Sequence, residues 1–126
     1  MGALPLIAIV DDEESVRRAL ARVLKASSFG VELFASGQEF LDSLATRHPD
    51  CVVLDYQMPG LTGREVQRRL SRARISLPII VVTAYNQGTV REQCLADGAA
   101  AYLAKPLQCE RLVGVINAAL RIARKV

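Results

Sequence analysis

The chain has 126 residues, of which 51% are hydrophobic, 23% are charged and only 5% are aromatic. This composition is typical of one folded domain with an aliphatic core, and it excludes a disordered tail. The formal net charge of +3 is modest, and no apolar run approaches the roughly 18 residues of a membrane-spanning helix. The N-terminus lacks the basic start and the apolar core of a signal peptide, so the sequence predicts a cytoplasmic protein.

Much of the positive charge lies in one segment, whose arginines have the spacing of an exposed helix face. They are Arg64, Arg68, Arg69, Arg72 and Arg74. Aromatic residues that could stack on bases are absent from this segment. We therefore favour a solvated helix face over a nucleic-acid-binding surface.

The cysteines are Cys51, Cys94 and Cys109, an odd number without a CxxC spacing. This pattern does not indicate a disulfide framework or a zinc site. It predicts buried, reduced thiols, as in a cytosolic protein.

Five short apolar runs bounded by turn or cap residues predict strands. In chain order they cover residues 6–10, 31–35, 51–54, 79–83 and 99–104. The intervening and final segments carry apolar residues at helical spacing, which predicts five helices. These residues are Val16, Ala19, Leu20 and Val23; Phe40, Leu41 and Leu44; Val66 and Leu70; Val90, Cys94 and Leu95; and Leu112, Ile116, Ala119, Leu120 and Ala123.

Several helix ends carry recognisable signals. Three starts match the S/T-x-x-E capping box, in which a hydroxyl and a carboxylate bind the unpaired N–H groups of the first turn. These pairs are Ser36 with Glu39, Thr62 with Glu65, and Thr89 with Glu92. Pro106 fits the first position of the last helix, while Gly30 and Gly98 follow helical patterns, where a left-handed residue is often needed.

Regular alternation of strands and helices predicts a parallel sheet covered on both faces, because each crossover helix packs its apolar side against the sheet. No domain boundary or repeat interrupts the pattern, so residues 1–126 are expected to form one domain. Residues 121–126, with sequence RIARKV, fit either the basic end of a helix or the start of a linker to an output domain.

The ends of the predicted strands carry the chemically informative residues. In an open parallel sheet the carboxyl ends of the strands share one edge, where ligands bind. That edge should gather Asp11, Asp12, Asp55, Thr83, Ala84 and Lys105. Converging carboxylates repel one another unless a positive charge lies among them. Oxygen ligands without Cys or His favour Mg²⁺ over zinc.

A carboxylate held in such a site can attack an activated phosphoryl group. Asp55 is the candidate nucleophile, Lys105 would supply positive charge, and Thr83 and the Ala84 N–H would bind phosphoryl oxygens. Taken singly, an aspartate at a strand end is usually a cap, and a lysine before proline is usually just exposed. Their joint occurrence at strand ends favours the functional interpretation.

The motifs together resemble the receiver domain of two-component response regulators, over about residues 5–124. "IVDDE" is similar to the family's acidic pair, and "VVLDYQMPGLTG" to its phosphoacceptor loop. "VVTA" and "AAAYLAKP" are similar to its switch threonine and to its switch aromatic with Lys-Pro. The resemblance implies a flavodoxin-like, doubly wound α/β fold with five parallel strands in the order 2-1-3-4-5 and five helices.

The resemblance also implies a metal site and a phosphoacceptor. Asp55 would be the phosphorylated side chain, and Asp12, Asp55 and the carbonyl of Gln57 would bind Mg²⁺ directly. Asp11 would hold the ion through water.

The same resemblance assigns the phosphoryl-binding and switch residues. Thr83, Ala84 and Lys105 would bind the phosphoryl oxygens, and Tyr102 would be the ring that moves together with Thr83. The peptide bond between Lys105 and Pro106 is expected to be cis.

The implied function is that of a phosphoacceptor in a histidine-to-aspartate phosphorelay. Such a domain is not an enzyme in the ordinary sense, although it promotes its own phosphorylation and dephosphorylation. Its partners would be a sensor histidine kinase or phosphotransfer protein, and an output domain or protein partner, most often for transcription regulation. The phosphorylated form could be a homodimer. Neither direct nucleic-acid contact nor membrane contact is expected.

Three alternatives remain beside this interpretation. The chain could be a stand-alone receiver that shuttles phosphoryl groups or regulates a partner. A phosphoaspartyl hydrolase of another α/β family would have a second aspartate two residues after the nucleophile, where this chain has Gln57. A flavin-binding module would need a Ser/Thr/Gly-rich phosphate loop after the first strand, where the acidic "DDEES" would repel the phosphate.

Overall fold

The computed structural model describes residues 4–84 and 88–124. Strands and helices alternate along the chain as the sequence predicts. They are β1 (Leu6–Val10), α1 (Glu14–Ala26), β2 (Gly30–Phe34), α2 (Gly37–Ser43), β3 (Cys51–Asp55), α3 (Gly63–Arg72), β4 (Ile79–Thr83), α4 (Gly88–Ala96), β5 (Ala101–Ala104) and α5 (Cys109–Arg124). The five strands are parallel and lie in the order β2-β1-β3-β4-β5, which confirms the predicted fold.

Two apolar layers enclose the sheet. On one face, alternate residues of the central strands pack against α1 and α5, through side chains such as Leu24 and Ile116. On the other face, the remaining strand residues pack against α2, α3 and α4, through side chains such as Phe40 and Leu70. Strands β3 and β4 are buried along their whole length, which explains why they appear in the sequence as continuous apolar runs.

Two of the three predicted helix starts are confirmed. The Ser36 hydroxyl accepts a hydrogen bond from the Glu39 N–H at the start of α2, and a complete capping box joins Thr62 to Glu65 at the start of α3. The third prediction is wrong, because α4 begins at Gly88 and Thr89 therefore lies inside its first turn. The S/T-x-x-E pattern cannot separate these cases, since both residue types are also tolerated within a first turn.

Pro106 is also misplaced by the sequence-based prediction. Helix α5 begins at Cys109, and the Leu112 N–H donates to the carbonyl of Gln108 over 3.0 Å as the helix starts. Pro106 therefore belongs to the loop between β5 and α5. Its peptide bond with Lys105 is cis, as the resemblance implied.

The ends of α1, α3 and α4 share one geometry, with a left-handed residue followed by an N–H that reaches back five residues into the helix. The left-handed residues are Ser28 (φ 68°), Arg74 (φ 57°) and Gly98 (φ 101°). Gly98 is thus confirmed, but Gly30 is wrong because it opens β2. The Phe29 N–H closes the α1 turn on the Leu24 carbonyl at 3.0 Å, and this turn is complete before Gly30.

The cysteine prediction holds for two of the three thiols. Cys51 and Cys94 are buried and free, whereas Cys109 is free but exposed, because it occupies the solvent side of the first turn of α5. Burial raises the pKa of Cys51 to about 12, so this thiol stays protonated and inert.

Across residues 4–84 and 88–124, no helix combines the length and the apolar character that crossing a bilayer requires.

Candidate functional site

Four adjacent strands bring their carboxyl ends to one edge of the sheet. Asp55 is the last residue of β3 and pairs in register with Val82 of β4, and Thr83 pairs with Ala104 of β5. Asp11 directly follows β1, and Lys105 directly follows β5. The sequence-predicted residues from all four strand ends therefore converge here.

Asp11, Asp12 and Asp55 form one carboxylate cluster. Each offers an oxygen, and these oxygens all lie within 4.8 Å of one another. The side chains of Asp11 and Asp55 are buried, at 3% and 6% residue exposure, whereas Asp12 is exposed. The cluster thus has two buried members at its base and one at its solvent side.

Asp11 is held by contacts from three directions. Its Oδ1 accepts the Glu13 N–H at 2.9 Å, and its Oδ2 accepts from the Lys105 Nζ at 3.2 Å. Its backbone carbonyl accepts from a guanidinium nitrogen of Arg17 at 2.7 Å. These contacts fix the carboxylate in one orientation. No pattern in the sequence pointed to Arg17, which reaches the site from the first turns of α1.

The Lys105 ammonium lies between the two buried carboxylates. Its Nζ is 3.2 Å from Asp11 Oδ2 and 3.6 Å from Asp55 Oδ1. Burial by itself lowers the pKa of this ammonium, but the charges of Asp55 and Asp11 outweigh burial, so the pKa is raised. Lys105 is therefore a permanent positive charge beside the Asp55 oxygens.

Asp55 has the most perturbed carboxylate of the site. Burial raises its pKa to about 6, from an ordinary value of 3.8, and the charge of Asp11 adds to the rise. Lys105 and a hydrogen bond from the Gln57 backbone act in the opposite direction, and Asp12 contributes a further small rise. At neutral pH Asp55 is therefore mainly ionised, although the buried charge destabilises the folded state.

The donor set of the cluster fits a hard divalent cation. The three carboxylates carry a formal charge of −3, of which one unit is balanced by Lys105. Oxygen is the only donor type that the cluster offers, and Mg²⁺ prefers oxygen. Gln57, two residues after Asp55, has its side chain exposed at the same edge. The residues present therefore suit the cation that the sequence predicts.

Thr83 and Ala84 lie at the carboxyl end of β4, at the same edge as this cluster, and Tyr102 lies two residues before the end of β5. Thr83 is fully buried at the end of β4, and Ala84 follows it at the surface. Tyr102 is half-buried on β5 and packs against the apolar layer that contains Met58 and Cys94. Its position lets one ring contact both the interior and the surface between α4 and α5.

Comparison with known proteins identifies the family. Residues 7–117 match the family model of the response regulator receiver domain. The chain belongs to this family. The receiver is also 44% identical, over 115 residues, to a response regulator called MprA from Mycolicibacterium vanbaalenii. That alignment covers 91% of this chain and 50% of the relative, so the receiver spans about half the length of the curated relatives it matches.

Solved structures agree with the fold. A response regulator receiver protein from Burkholderia phymatum is 44% identical, with a TM-score of 0.82 over 92% of this chain and 94% of that one. A signal receiver domain from Vibrio parahaemolyticus has a TM-score of 0.92 over 96% of this chain and 93% of that one. Its identity of 21% supports the fold alone. The receiver is therefore a signalling domain of two-component systems.

Gly63 is a structural member of the site that sequence reasoning missed. A Cβ added there would lie 2.7 Å from the Asp55 carbonyl oxygen and 2.8 Å from the Tyr56 Cα, and both are backbone atoms. The Gly63 N–H also donates to the Tyr56 carbonyl at 2.9 Å. The start of α3 is thus pressed against the strand end that carries Asp55, which only glycine permits. The glycine of "LTG" was the available signal.

We expect Gly63→Ala to destabilise the receiver by about 1–3 kcal/mol, because the backbone atoms it meets cannot move as a side chain can. Gly114→Ala is the matched control, since a Cβ at this position in α5 meets nothing within 4 Å. That change should stabilise by about 0.5–1 kcal/mol. Urea unfolding measures both effects. Equal stability of Gly63→Ala and wild type would show that the close approach is not needed.

Gln67 is the second residue that the sequence did not single out. It is 1% exposed, and its Nε2 donates to the Cys94 carbonyl at 3.2 Å. Within the described residues its Oε1 has no hydrogen-bond partner. Nearby, the Arg64 guanidinium pairs with Asp97 at 3.2 Å. These two contacts hold α3 against the end of α4. The arginine-rich sequence of α3 did not indicate that one of its amide side chains is buried.

Proposed function

We propose that Asp55 is the phosphoacceptor of this receiver. The observation that carries the proposal is the position of its carboxylate, buried at the end of β3, 3.6 Å from the Lys105 ammonium and within 4.8 Å of oxygens of Asp11 and Asp12. No other carboxylate of the cluster combines the end of a central strand with this flanking by acids and a lysine.

The phosphoryl transfer would be a direct displacement. An ionised Asp55 oxygen attacks the phosphorus of the donor, a new P–O bond forms, and the donor's P–N or P–O bond breaks as its leaving group departs with the electron pair. Lys105, the Thr83 hydroxyl and the Ala84 N–H would bind the phosphoryl oxygens, so positioning and charge neutralisation supply most of the catalysis. In this sense the receiver promotes its own phosphorylation and, with water as the attacking group, its dephosphorylation.

The carboxylate cluster would hold the metal ion of this reaction. Asp12, Asp55 and the carbonyl of Gln57 are the proposed direct ligands of Mg²⁺, and Asp11 would bind it through water. Bound there, Mg²⁺ would neutralise both the crowded carboxylates and the added phosphoryl charge. The buried position of Asp11 and its contacts to Lys105 and the Glu13 N–H support a positioning role rather than direct ligation.

The proposed partners follow from the family. A sensor histidine kinase or a phosphotransfer protein would supply the phosphoryl group in the cytoplasm, and the receiver would control an output domain or a protein partner. Transcription regulation is the commonest such output. Residues 1–126 would form the receiver unit, with residues 121–126 leading towards the output segment. The helical course of α5 to Arg124 supports a connection that starts as helix.

Acetyl phosphate with Mg²⁺ tests the acceptor directly. We expect intact-protein mass spectrometry to detect one added phosphoryl group in wild type and none in Asp55→Asn. Asp42→Asn is the control, since Asp42 lies on α2 and bonds Gln38 on the surface, and it should be phosphorylated like wild type. Undiminished phosphorylation of Asp55→Asn would assign the acceptor to another residue.

We further propose that phosphorylation changes the surface formed by α4, β5 and α5. A phosphoryl group adds about −1.5 to −2 charges, which would draw the Thr83 hydroxyl and Lys105 towards Asp55. The Tyr102 ring would then turn inward into the space that Thr83 leaves. Shifting a 1:99 equilibrium to 99:1 needs about 5.5 kcal/mol, which several charge-assisted hydrogen bonds of about 1.5–3 kcal/mol each can supply.

Beryllofluoride, a phosphoryl mimic, tests this switch by NMR. With Mg²⁺ and beryllofluoride we expect the amides of Val90, Tyr102 and Leu112 to shift in wild type and to stay in place in Thr83→Ala. The amides of the loop after Asp55 should respond in both proteins, which controls for binding of the mimic. A response confined to that loop in wild type would refute the switch.

A further inference from the structure

The solvent side of α3 and its C-terminal end carry four arginines, which we call the α3 arginine face. They are Arg68, Arg69, Arg72 and Arg74, and all four are exposed. The opposite side of the helix is buried through residues such as Val66 and Leu70. Arg74 is the left-handed residue that ends the helix, at a position where glycine or asparagine is usual. The arginines therefore form a cationic surface that faces solvent.

No acid neutralises the α3 arginine face. Within residues 4–84 and 88–124 none of its four arginines has an ion pair. Glu65 lies three and four residues before Arg68 and Arg69, at the spacing of helical ion pairs. Its carboxylate instead turns to the start of the helix, where it accepts the Thr62 N–H at 3.3 Å and the Thr62 hydroxyl at 3.1 Å. The capping box thus uses the acid that could have paired with the arginines.

The same segment accounts for the net charge of the whole chain. Residues 64–74 contain five arginines and one acid, a charge of +4, whereas the chain has 16 basic and 13 acidic side chains, a charge of +3. The rest of the chain therefore has 11 basic and 12 acidic side chains, a charge of −1. Positive charge gathered on one side of a nearly neutral protein attracts anions to that side.

A duplex nucleic acid suits this face better than an acidic protein does. Protein interfaces depend on buried aromatic and aliphatic anchors. Helix α3 has no aromatic residue, and the large apolar side chain exposed beside the arginines is Ile75, at 40%. Guanidinium groups bind phosphate oxygens with paired hydrogen bonds, and such contacts need no apolar anchor. Without an aromatic ring, the face has no platform on which unpaired bases could stack.

We propose that the α3 arginine face binds the phosphate backbone of double-stranded DNA, without reading the base sequence. In a receiver joined to a DNA-binding output, this contact would add affinity for the duplex. That setting rests on the proposed function, whereas the face itself does not. The proposal replaces the sequence-based expectation of a solvated face without nucleic-acid contact, because the arginine pattern alone does not show that Glu65 is engaged at the helix start.

Fluorescence anisotropy with a labelled DNA duplex of mixed sequence measures this contact. Four phosphate contacts at about −0.9 each predict a slope of roughly −3.6 for log K against log[salt] between about 50 and 200 mM salt. We expect saturable binding with a Kd of roughly 1–100 μM, the range of non-specific DNA binding.

Two pairs of variants test whether the arginines make the contact. Arg68→Gln/Arg72→Gln removes two contacts, so the slope should become shallower by about 1.8 and binding should weaken at least tenfold. Arg68→Lys/Arg72→Lys keeps both charges and should keep the slope. Both positions are exposed, and glutamine and lysine suit a helix nearly as well as arginine does, so the fold should be kept.

The control Arg22→Gln/Arg121→Gln removes two exposed arginines from α1 and α5 and should leave the slope unchanged. An equal loss in this control would overturn the proposal in favour of diffuse attraction to a positive protein. Unlabelled duplex should compete at least tenfold better than polyglutamate of the same total charge. Equal competition would assign the face to an acidic protein instead. The absence of saturable binding, or an equal loss in the lysine pair, would also overturn the proposal.

Acetyl phosphate separates this inference from the proposed acceptor. The Arg68→Gln/Arg72→Gln pair should add one phosphoryl group as wild type does, because both arginines lie on the solvent side of α3. If Asp55 is not phosphorylated but the duplex binds with the expected slope, the acceptor proposal fails and the α3 arginine face stands. If Asp55 is phosphorylated but the duplex does not bind, the α3 arginine face alone is refuted.

Discussion

Asp55→Asn is expected to stabilise the metal-free receiver by about 2–3 kcal/mol at pH 7, although it removes the proposed acceptor. Burial and the charge of Asp11 raise the pKa of Asp55 to about 6 from 3.8, and each tenfold change in an ionisation constant corresponds to about 1.4 kcal/mol. The folded state is therefore destabilised by this free energy whenever Asp55 is ionised. Asparagine keeps the shape of the side chain and removes the charge.

The sign of the effect follows from proton binding. Between pH 3.8 and about 6 Asp55 holds its proton in the folded chain but has lost it in the unfolded chain. Because the folded state binds more protons there, stability from this group falls as the pH rises through that window. The penalty is fully present above about pH 6 and absent below about pH 4.

Urea unfolding in excess chelator at pH 4.5 to 8 measures the prediction. The difference in unfolding free energy between Asp55→Asn and wild type should grow from pH 4.5 to 7 and then level off. Asp42→Asn, on the exposed side of α2, should follow wild type at every pH. A variant no more stable than wild type at pH 7 would mean that Lys105 already compensates the buried charge.

The strands and the shared edge could be predicted because a strand that is buried on both faces has a continuous run of apolar residues. Strands β1 and β4 match the predicted runs at both ends, 6–10 and 79–83. A continuous apolar run of this length is typical of a buried strand and is shorter than an ordinary helix. Asp55 and Lys105 then come to the same edge, because β3 and β5 are parallel strands with only β4 between them and parallel strands end at one edge. The last strand is shorter than its run, as Ala99 closes the end of α4 on the Cys94 carbonyl.

The sequence could not predict contacts made by long side chains or by the backbone between elements. Arg17 reaches the Asp11 carbonyl across a turn, and Gln67 reaches α4 from the inner side of α3. Both depend on rotamers that a one-dimensional pattern does not encode. Helix ends fail for a related reason. Ser28, rather than a glycine, takes the left-handed position at the end of α1. The next residue, Phe29, is buried, and its N–H closes the turn on the Leu24 carbonyl.

Mg²⁺ should reverse the electrostatic penalty of the site, and this is the second large effect that we expect. An ion that binds only the folded state stabilises it by RT ln(1 + [L]/Kd), which is about 2.7 kcal/mol at a hundredfold excess over Kd. The ion would neutralise the carboxylates of Asp11, Asp12 and Asp55, whose oxygens lie within 4.8 Å of one another. The stabilisation should therefore be larger at pH 7 than at pH 4.5, where a proton on Asp55 competes with the ion for the carboxylate.

Asp12→Asn decides whether this cluster is where Mg²⁺ acts. Asp12 is exposed, so the change should leave the metal-free fold intact while removing one proposed ligand and most of the Mg²⁺-dependent rise in melting temperature. The control Asp50→Asn changes an acid that directly precedes β3, at the opposite edge of the sheet, and accepts the Leu6 N–H at 2.8 Å. It should lower the melting temperature without altering the Mg²⁺ increment. An increment unchanged in Asp12→Asn would place the ion elsewhere. Loss of the increment in Asp12→Asn, with the increment kept in Asp50→Asn, would place the ion at the cluster of Asp11, Asp12 and Asp55, whose oxygens lie within 4.8 Å of one another.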